Sequence, residues 1–356
     1  MNNHYAVIMA GGVGSRFWPV STQKYPKQFH DMLGTGTTLI QHTFNRLTKF
    51  IPSSQIYIAT NARYKALVME QLGVSANQLI IEPAMRNTAP CILYAAQKIE
   101  KMNPKASVLI APSDHWIEDE DEFAANITTA FAACDTRDIL MTLGITPTHP
   151  NTGYGYIKYK DQASEIKKVE AFVEKPDLAT ATKYLANGGY LWNAGIFIWS
   201  IQSILNAFTM YLPKMKALFD QGNEVYNTEK EEAFIDAHYA EAEDISIDYG
   251  IMQKAANIYT LPVQFEWNDL GTWSSLYEKI AKDEQQNAVI NASSVMIDAS
   301  NNMVRTNTGK KVVIQGLSDY IVVEKDDVLL ICPKSKEQEI KEIVAKVKDA
   351  YGSDLG

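Results

Sequence analysis

The chain has 356 residues, with an apolar share of 46%, long enough to bury a sizeable core and favouring one large domain plus a smaller one. Acidic residues outnumber basic ones 42 to 33, a formal net charge of -9, which argues against a general nucleic-acid binder with its basic face. That balance still permits a local cluster of Lys, Arg and backbone N–H groups to bind a phosphorylated ligand.

In chain order, short apolar runs at 5–9, 55–60, 78–81, 107–110 and 138–143 read as strands, and 38–48, 62–72, 88–102 and 120–134 between them read as helices. The alternation predicts an α/β fold, a doubly wound and mainly parallel, Rossmann-like sheet whose ligands bind beyond the carboxyl ends of its strands. Ala10-Gly11-Gly12, Glu82-Pro83 and Pro112-Ser113-Asp114 all fall at that end. From 151 to 269 the pattern is mixed. Strands are expected at 155–160, 166–174 and 195–199, and helices at 177–186, 201–208, 229–237 and 247–254, as an insertion completing the cleft.

After Asn287, short β-like runs (288–290, 294–297, 311–314, 320–324, 328–331) alternate with turns rich in Asn, Gly and Asp. They suggest a small β module, a partial β-helix or a hairpin stack, closed by an amphipathic helix over 336–351. The expected domains are 1–285 and 286–356.

The apolar stretch 190–201 is too short to span a bilayer and is broken by Asn193 and Gly195, so no membrane association is expected. The run 5–10 leads straight into glycines rather than forming a signal peptide. Cys91, Cys134 and Cys332 lack metal-ligand spacing and read as thiols in a reducing compartment; the expected location is the cytoplasm.

Three constellations carry chemistry. Gly11-Gly12-Val13-Gly14-Ser15-Arg16 follows the first strand directly; its glycines let the backbone approach a triphosphate, and Arg16 adds a forked, permanently charged donor. The pattern fits neither the dinucleotide fingerprint nor a P-loop, and by itself leaves a structural tight turn open. Lys27, in Tyr25-Pro26-Lys27-Gln28-Phe29, is placed to neutralise charge at a reacting phosphate, making Arg16 and Lys27 the catalytic candidates. Asp114, after the strand 107–110, and Asp269, in Trp267-Asn268-Asp269-Leu270-Gly271, offer oxygen ligands for Mg²⁺, although either serves equally well in a turn or cap. His115 is given no catalytic role. Trp192, Trp199, Trp267 and Trp273 read mainly as core packing.

Further motifs follow in order: Arg86-Asn87-Thr88-Ala89-Pro90, Thr152-Gly153-Tyr154-Gly155-Tyr156-Ile157, Phe172-Val173-Glu174-Lys175-Pro176, Trp192-Asn193-Ala194-Gly195 and Ser246-Ile247-Asp248-Tyr249. With them the chain resembles the bacterial mannose-1-phosphate guanylyltransferases of the sugar nucleotidyltransferase family, from the first strand to about Trp273. The β module and final helix resemble that family's C-terminal part.

The resemblance implies transfer of GMP from GTP to mannose 1-phosphate, giving GDP-mannose, with Mg²⁺ as cofactor. It assigns Gly11, Gly12 and Gly14 to the triphosphate along with Arg16, and Lys27 to the reacting phosphate. Glu82, Asn87 and Thr88 are assigned to the nucleotide, and Asp114 and Asp269 to the metal. The sugar phosphate falls to Tyr154, Gly155, Glu174, Lys175 and Asn193. The loop departs from the family at Val13 and Ser15, where Ser and Thr are expected, and Ala194 replaces a more usual Ser. Some relatives continue into a phosphomannose isomerase domain, which this length leaves no room for, so no isomerase activity is expected. A homodimer is expected. Rival readings are another sugar phosphate or nucleotide, a nicotinamide-dependent dehydrogenase, and a non-catalytic regulatory homologue.

Overall fold

The computed structural model describes residues 3–352. Its contacts divide into two compact units. One takes in the chain up to Gly11, Phe44–Ser113 and Ile117–Trp267; the other takes in Gly12–Thr43, Asp114–Trp116 and the chain from Asn268 onward.

The first unit is built on a nine-stranded sheet. Its strands are β1 (His4–Met9), β2 (Ile56–Asn61), β3 (Leu79–Glu82), β4 (Ser107–Pro112), β5 (Leu140–Ile145), β6 (Tyr156–Tyr159), β7 (Lys167–Val173), β8 (Tyr190–Ser200) and β9 (Ile258–Val263). They lie in the order β3-β2-β1-β4-β8-β5-β9-β7-β6. The ladders β1–β2, β2–β3, β1–β4 and β5–β9 are parallel, and only β7 and β8 run against the rest, so seven of nine strands point the same way.

Ala6, Val7 and Ile8 of β1 are all fully buried. Successive strand residues point to opposite faces, so an unbroken buried run requires cover on both. Val7 packs with Ile80, Val108 and Ile110 beneath Ile92 and Leu93 of the helix Thr88–Met102 and Ile204 of the helix Ile201–Tyr211. The helix Glu120–Cys134 packs on β5, β8 and β9, burying Phe123, Ile127 and Phe131 outside that cluster.

The helices 88–102 and 120–134 stand where the sequence places them. Two strands depart from expectation. The segment 190–200 is a single strand, because the Asn193 side chain turns inward to protein partners and Gly195 takes a left-handed φ of 67° at a register shift. Ile258–Val263 is not among the expected strands, and it carries Pro262, which lacks the N–H of a ladder donor. It is tolerated where β7 pairs only at Tyr259 and Thr260, leaving one side of β9 open by residue 262. The segment expected as an insertion contributes four strands to the main sheet, β8 and β9 within it on either side of β5, and β7 and β6 at its edge.

The second unit holds a four-stranded sheet of β10 (Ala288–Ile297), β11 (Met303–Gln315), β12 (Tyr320–Lys325) and β13 (Val328–Pro333). β10, β11 and β12 stack in parallel, and β12 and β13 form a hairpin, so the module combines β-helix-like coils with one hairpin. Left-handed Asn291, Asp298, Asn301 and Asp319 turn its corners, a conformation Asn and Asp tolerate better than most residues. Inside the coil, the Asn302 amide donates to Asn287 Oδ1 at 3.0 Å and to the Leu317 carbonyl at 2.7 Å. The unit's core joins Ile290, Met303, Ile321 and Ile340 to Phe17, Trp18, Met32, Leu270 and Trp273. Arg305, buried, donates to the carbonyls of Met32 and Asp31, each at 2.8 Å. The final helix runs Ile340–Tyr351, entered through a tighter 3-10 turn at Lys334–Glu339.

Candidate active site

Within the second unit, Gly14, Ser15, Arg16, Lys27, Asp114, His115, Asp269 and Gly271 line one pocket of about 320 Å³ together with Lys341. Gly14 has a φ of 69°, and a Cβ there would stand 2.6 Å from Lys27 Cβ. The loop therefore requires glycine at this position on both conformational and steric grounds.

Lys27 is almost wholly buried, and its ammonium makes three contacts: Asp114 Oδ2 at 2.9 Å, the Asp269 carbonyl at 3.0 Å and the Leu270 carbonyl at 2.7 Å. Those use all three N–H donors, so contact with a phosphate oxygen would replace one of them. Sequence reasoning assigned Lys27 to phosphate; its position also ties the Asp114 loop to the Asp269 loop. Burial pushes the Asp114 carboxyl up, but Lys27 and then His115 outweigh it and hold the group below the ordinary aspartate range. Leu270 is buried with a φ of 45°, a strained conformation for a non-glycine residue, secured by its N–H donating to Asn268 Oδ1 at 2.7 Å.

Asp114 and Asp269 offer hard oxygen donors in one pocket, as a Mg²⁺ site requires. No group of three or more His, Cys, Asp or Glu residues is arranged to hold a metal among the described residues. Two carboxylates suit an ion that completes its shell with water and substrate phosphate rather than one caged by protein.

The remaining predicted residues belong to the first unit and form two groups. In one, a Cβ on Gly11 would meet Glu82 Oε2 at 3.4 Å. Glu82 is buried, its Oε1 accepts the Tyr239 hydroxyl, and burial raises its carboxyl above the usual range. Asn87, at a positive φ of 56°, precedes the helix that starts at Thr88 without a side-chain capping bond, and its amide donates to Asp244 Oδ1 at 2.6 Å. Thr88 Oγ1 accepts the Ile247 N–H at 2.8 Å, so both side chains already serve the local framework.

In the other group, Gly155 admits the Glu174 carboxylate: a Cβ there would lie 2.4 Å from Glu174 Oε2. Glu174 Oε1 pairs with Lys175 Nζ at 2.8 Å, whereas Oε2 is buried without a hydrogen-bond partner among the described residues. Burial pulls the Lys175 ammonium down, but Glu174 outweighs it and the group is held above its ordinary value. Lys175 takes a left-handed φ of 48°, and its N–H donates to the Tyr154 carbonyl at 3.2 Å. The Tyr154 ring packs edge-on against Trp192 and Trp267 at 5.0 and 5.2 Å. Trp192, Trp199 and Trp273 are buried, as packing residues should be, and Trp267 is half-buried.

Sequence reasoning assigned roles to neither Thr142 nor Asp248. Thr142 Oγ1, fully buried, donates to Asn193 Oδ1 at 2.9 Å, and Asn193 Nδ2 donates to Asp248 Oδ1 at 3.0 Å. Burial, and then the charge of Glu174, push the Asp248 carboxyl up to about 6. The quoted Ser246-Ile247-Asp248-Tyr249 motif was its available signal; Thr142, inside an apolar strand, had none.

A family model described as nucleotidyl transferase matches residues 5–286, and one described as the MannoseP isomerase/GMP-like beta-helix domain matches 292–347. The chain is 36% identical over 362 residues to the xanthan biosynthesis protein XanB of Xanthomonas campestris, covering 99% of this chain and 75% of that one. It is 33% identical over 360 residues to a mannose-1-phosphate guanylyltransferase of Escherichia coli, covering 97% and 73% of the two chains. Its fold superposes on a crystal structure described as a mannose-1-phosphate geranyltransferase from Thermus thermophilus, with a TM-score of 0.88 and 30% identity, covering 98% of this chain and all of that one.

Proposed function

Because the chain belongs to the nucleotidyl transferase family, and within it groups with the mannose-1-phosphate guanylyltransferases, we propose that it transfers GMP from GTP to mannose 1-phosphate. The observation that carries this reading is Lys27 bound at once to the Asp114 carboxylate and the Asp269 loop, in the pocket that Gly14 and Arg16 line.

A phosphate oxygen of mannose 1-phosphate attacks the α-phosphorus in line. The bond from that phosphorus to the bridging oxygen breaks, and pyrophosphate leaves with the electron pair. No covalent enzyme intermediate is required, so catalysis rests on positioning and charge neutralisation. Mg²⁺, held by Asp114 and Asp269, would offset charge on the phosphate oxygens. Arg16 offers its guanidinium to the triphosphate, and the loop N–H groups around Gly14 cradle it.

On the sugar side, Glu174 Oε2 is a buried acceptor without a donor, which a sugar hydroxyl would supply. Lys175, held protonated, meets the sugar phosphate, and Asn193 is oriented by Thr142 and Asp248. Glu82 and the backbone near Asn87 take the guanine.

The test is pyrophosphate release by purified protein with Mg²⁺, GTP and mannose 1-phosphate, beside other nucleotide and sugar-phosphate pairs. Release with this pair, lost by at least about 100-fold in Asp114→Asn, is the expected result. Release only with a different pair corrects the substrate, and silence with every pair overturns the enzymatic reading. The cytoplasmic homodimer expected from the sequence belongs to the same proposal; sedimentation at twice the chain's mass is expected, and a monomer at all concentrations would sink that part.

A further inference from the structure

The module after residue 287 carries no recognisable chemistry in its sequence, yet its last helix enters the pocket of the Gly-rich loop. Lys341, in the first turn of Ile340–Tyr351, lines that pocket with Gly14, Ser15 and Arg16. Just before the helix, Gln338 Oε1 accepts the Arg16 Nε–H at 3.1 Å. Ile340, between these two residues, is fully buried in the cluster that contains Phe17 and Trp18, so the helix start is fixed against the loop.

The charges give this placement a use. Arg16, Lys27 and Lys341 meet Asp114 and Asp269 in one pocket. Without Lys341 the formal charges cancel, two against two; with it the pocket carries one net positive charge, in a protein whose total is -9. Lys27 is already bound to Asp114. Lys341 is exposed and forms no ion pair among the described residues, and Arg16 is engaged only through Nε, with its outer donors unused by other described groups. Two cations flanking a glycine loop, neither neutralised by a carboxylate, form an anion site.

We propose that Lys341 is a phosphate-binding residue: the C-terminal helix supplies a cation to the polyphosphate of the nucleotide, with Gln338 orienting Arg16 beside it. The inference rests on the proposed nucleotidyl transfer for the identity of the anion, but the anion site itself is measurable without any transfer.

The experiment titrates the full-length protein with inorganic tripolyphosphate by calorimetry, comparing wild type with Lys341→Gln, Lys341→Arg and Lys346→Gln. Lys346 is an exposed lysine on another face of the same helix, so its variant matches the charge change. The expected result is an approximately tenfold weaker Kd for Lys341→Gln, recovered by Lys341→Arg, unchanged by Lys346→Gln, and narrowing as salt is raised. Equal binding by wild type and Lys341→Gln, equal weakening by Lys346→Gln, or no binding by wild type overturns the proposal. Lys341-dependent binding alongside no pyrophosphate release with any substrate pair would sustain the anion site and defeat the transfer reaction, which keeps the two failures apart.

Discussion

Asp248 and Glu174 are two carboxylates in the group that also holds Asn193, and the environment does not treat them alike. Glu174 pairs directly with Lys175, whereas Asp248, which accepts the Asn193 amide and feels Lys175 more weakly, is pushed from 3.8 up to about 6, by burial first and then by the Glu174 charge. The folded carboxyl thus titrates above the unfolded one, so between about pH 4 and 6 the folded state binds more proton than the unfolded chain. The contribution of Asp248 to stability therefore falls as pH rises through that window, by up to about 3 kcal/mol for a shift of this size. Asp248→Asn retains an oxygen for Asn193 Nδ2 to donate to and removes the titration. Urea unfolding from pH 4 to 7 is expected to show the stability of the wild type relative to the variant declining as pH rises, since Glu82 and Asp114 contribute alike to both. Equal slopes would show that Asp248 is not the group responsible.

At the scale of elements, legibility followed how locally each was encoded. The helix Thr88–Met102 and the strand His4–Met9 were readable because each is encoded locally, the strand as a short apolar run that ends at glycines and the helix as one continuous helical stretch. Asp114, Asp269 and Lys27 each lie in a compact motif that could be singled out along the chain, and the structure brings the three into one pocket. What stayed hidden was relational. Nothing near Lys27 indicates that its ammonium binds the carbonyls of Asp269 and Leu270, more than 240 positions away. Thr142 reads as one more strand residue until its hydroxyl is seen to orient Asn193. The strand Ile258–Val263, not among the expected strands, pairs with β5 and β7 despite Pro262. Lys341 looked like one of several lysines on an amphipathic helix, and only the docking of Ile340 gives it a direction.

For the molecule as a whole, motif order and compact structure divide the chain along different lines. The two family models meet between residues 286 and 292, whereas the second compact unit gathers Gly12–Thr43, Asp114–Trp116 and everything from Asn268 onward. Its single core places Phe17, Trp18, Met32 and Trp273 against Ile290, Met303, Ile321 and Ile340, and Arg305 holds the carbonyls of Asp31 and Met32. The β module is therefore part of the scaffold that shapes the Gly-rich loop. Cutting the chain after residue 285 would expose one side of that core and remove the cation that binds the Asp31–Met32 backbone. Large apolar side chains left uncovered in this way drive association rather than a clean two-domain separation. The fragment 1–285 is expected to aggregate, or to remain soluble only with rapid amide exchange over residues 12–43, and in either case to lose tripolyphosphate binding. Those properties are checked by light scattering, hydrogen exchange and calorimetry. A monodisperse fragment that binds tripolyphosphate as tightly as the full chain would mean that the first 285 residues shape the phosphate pocket by themselves, and that the β module serves some other purpose.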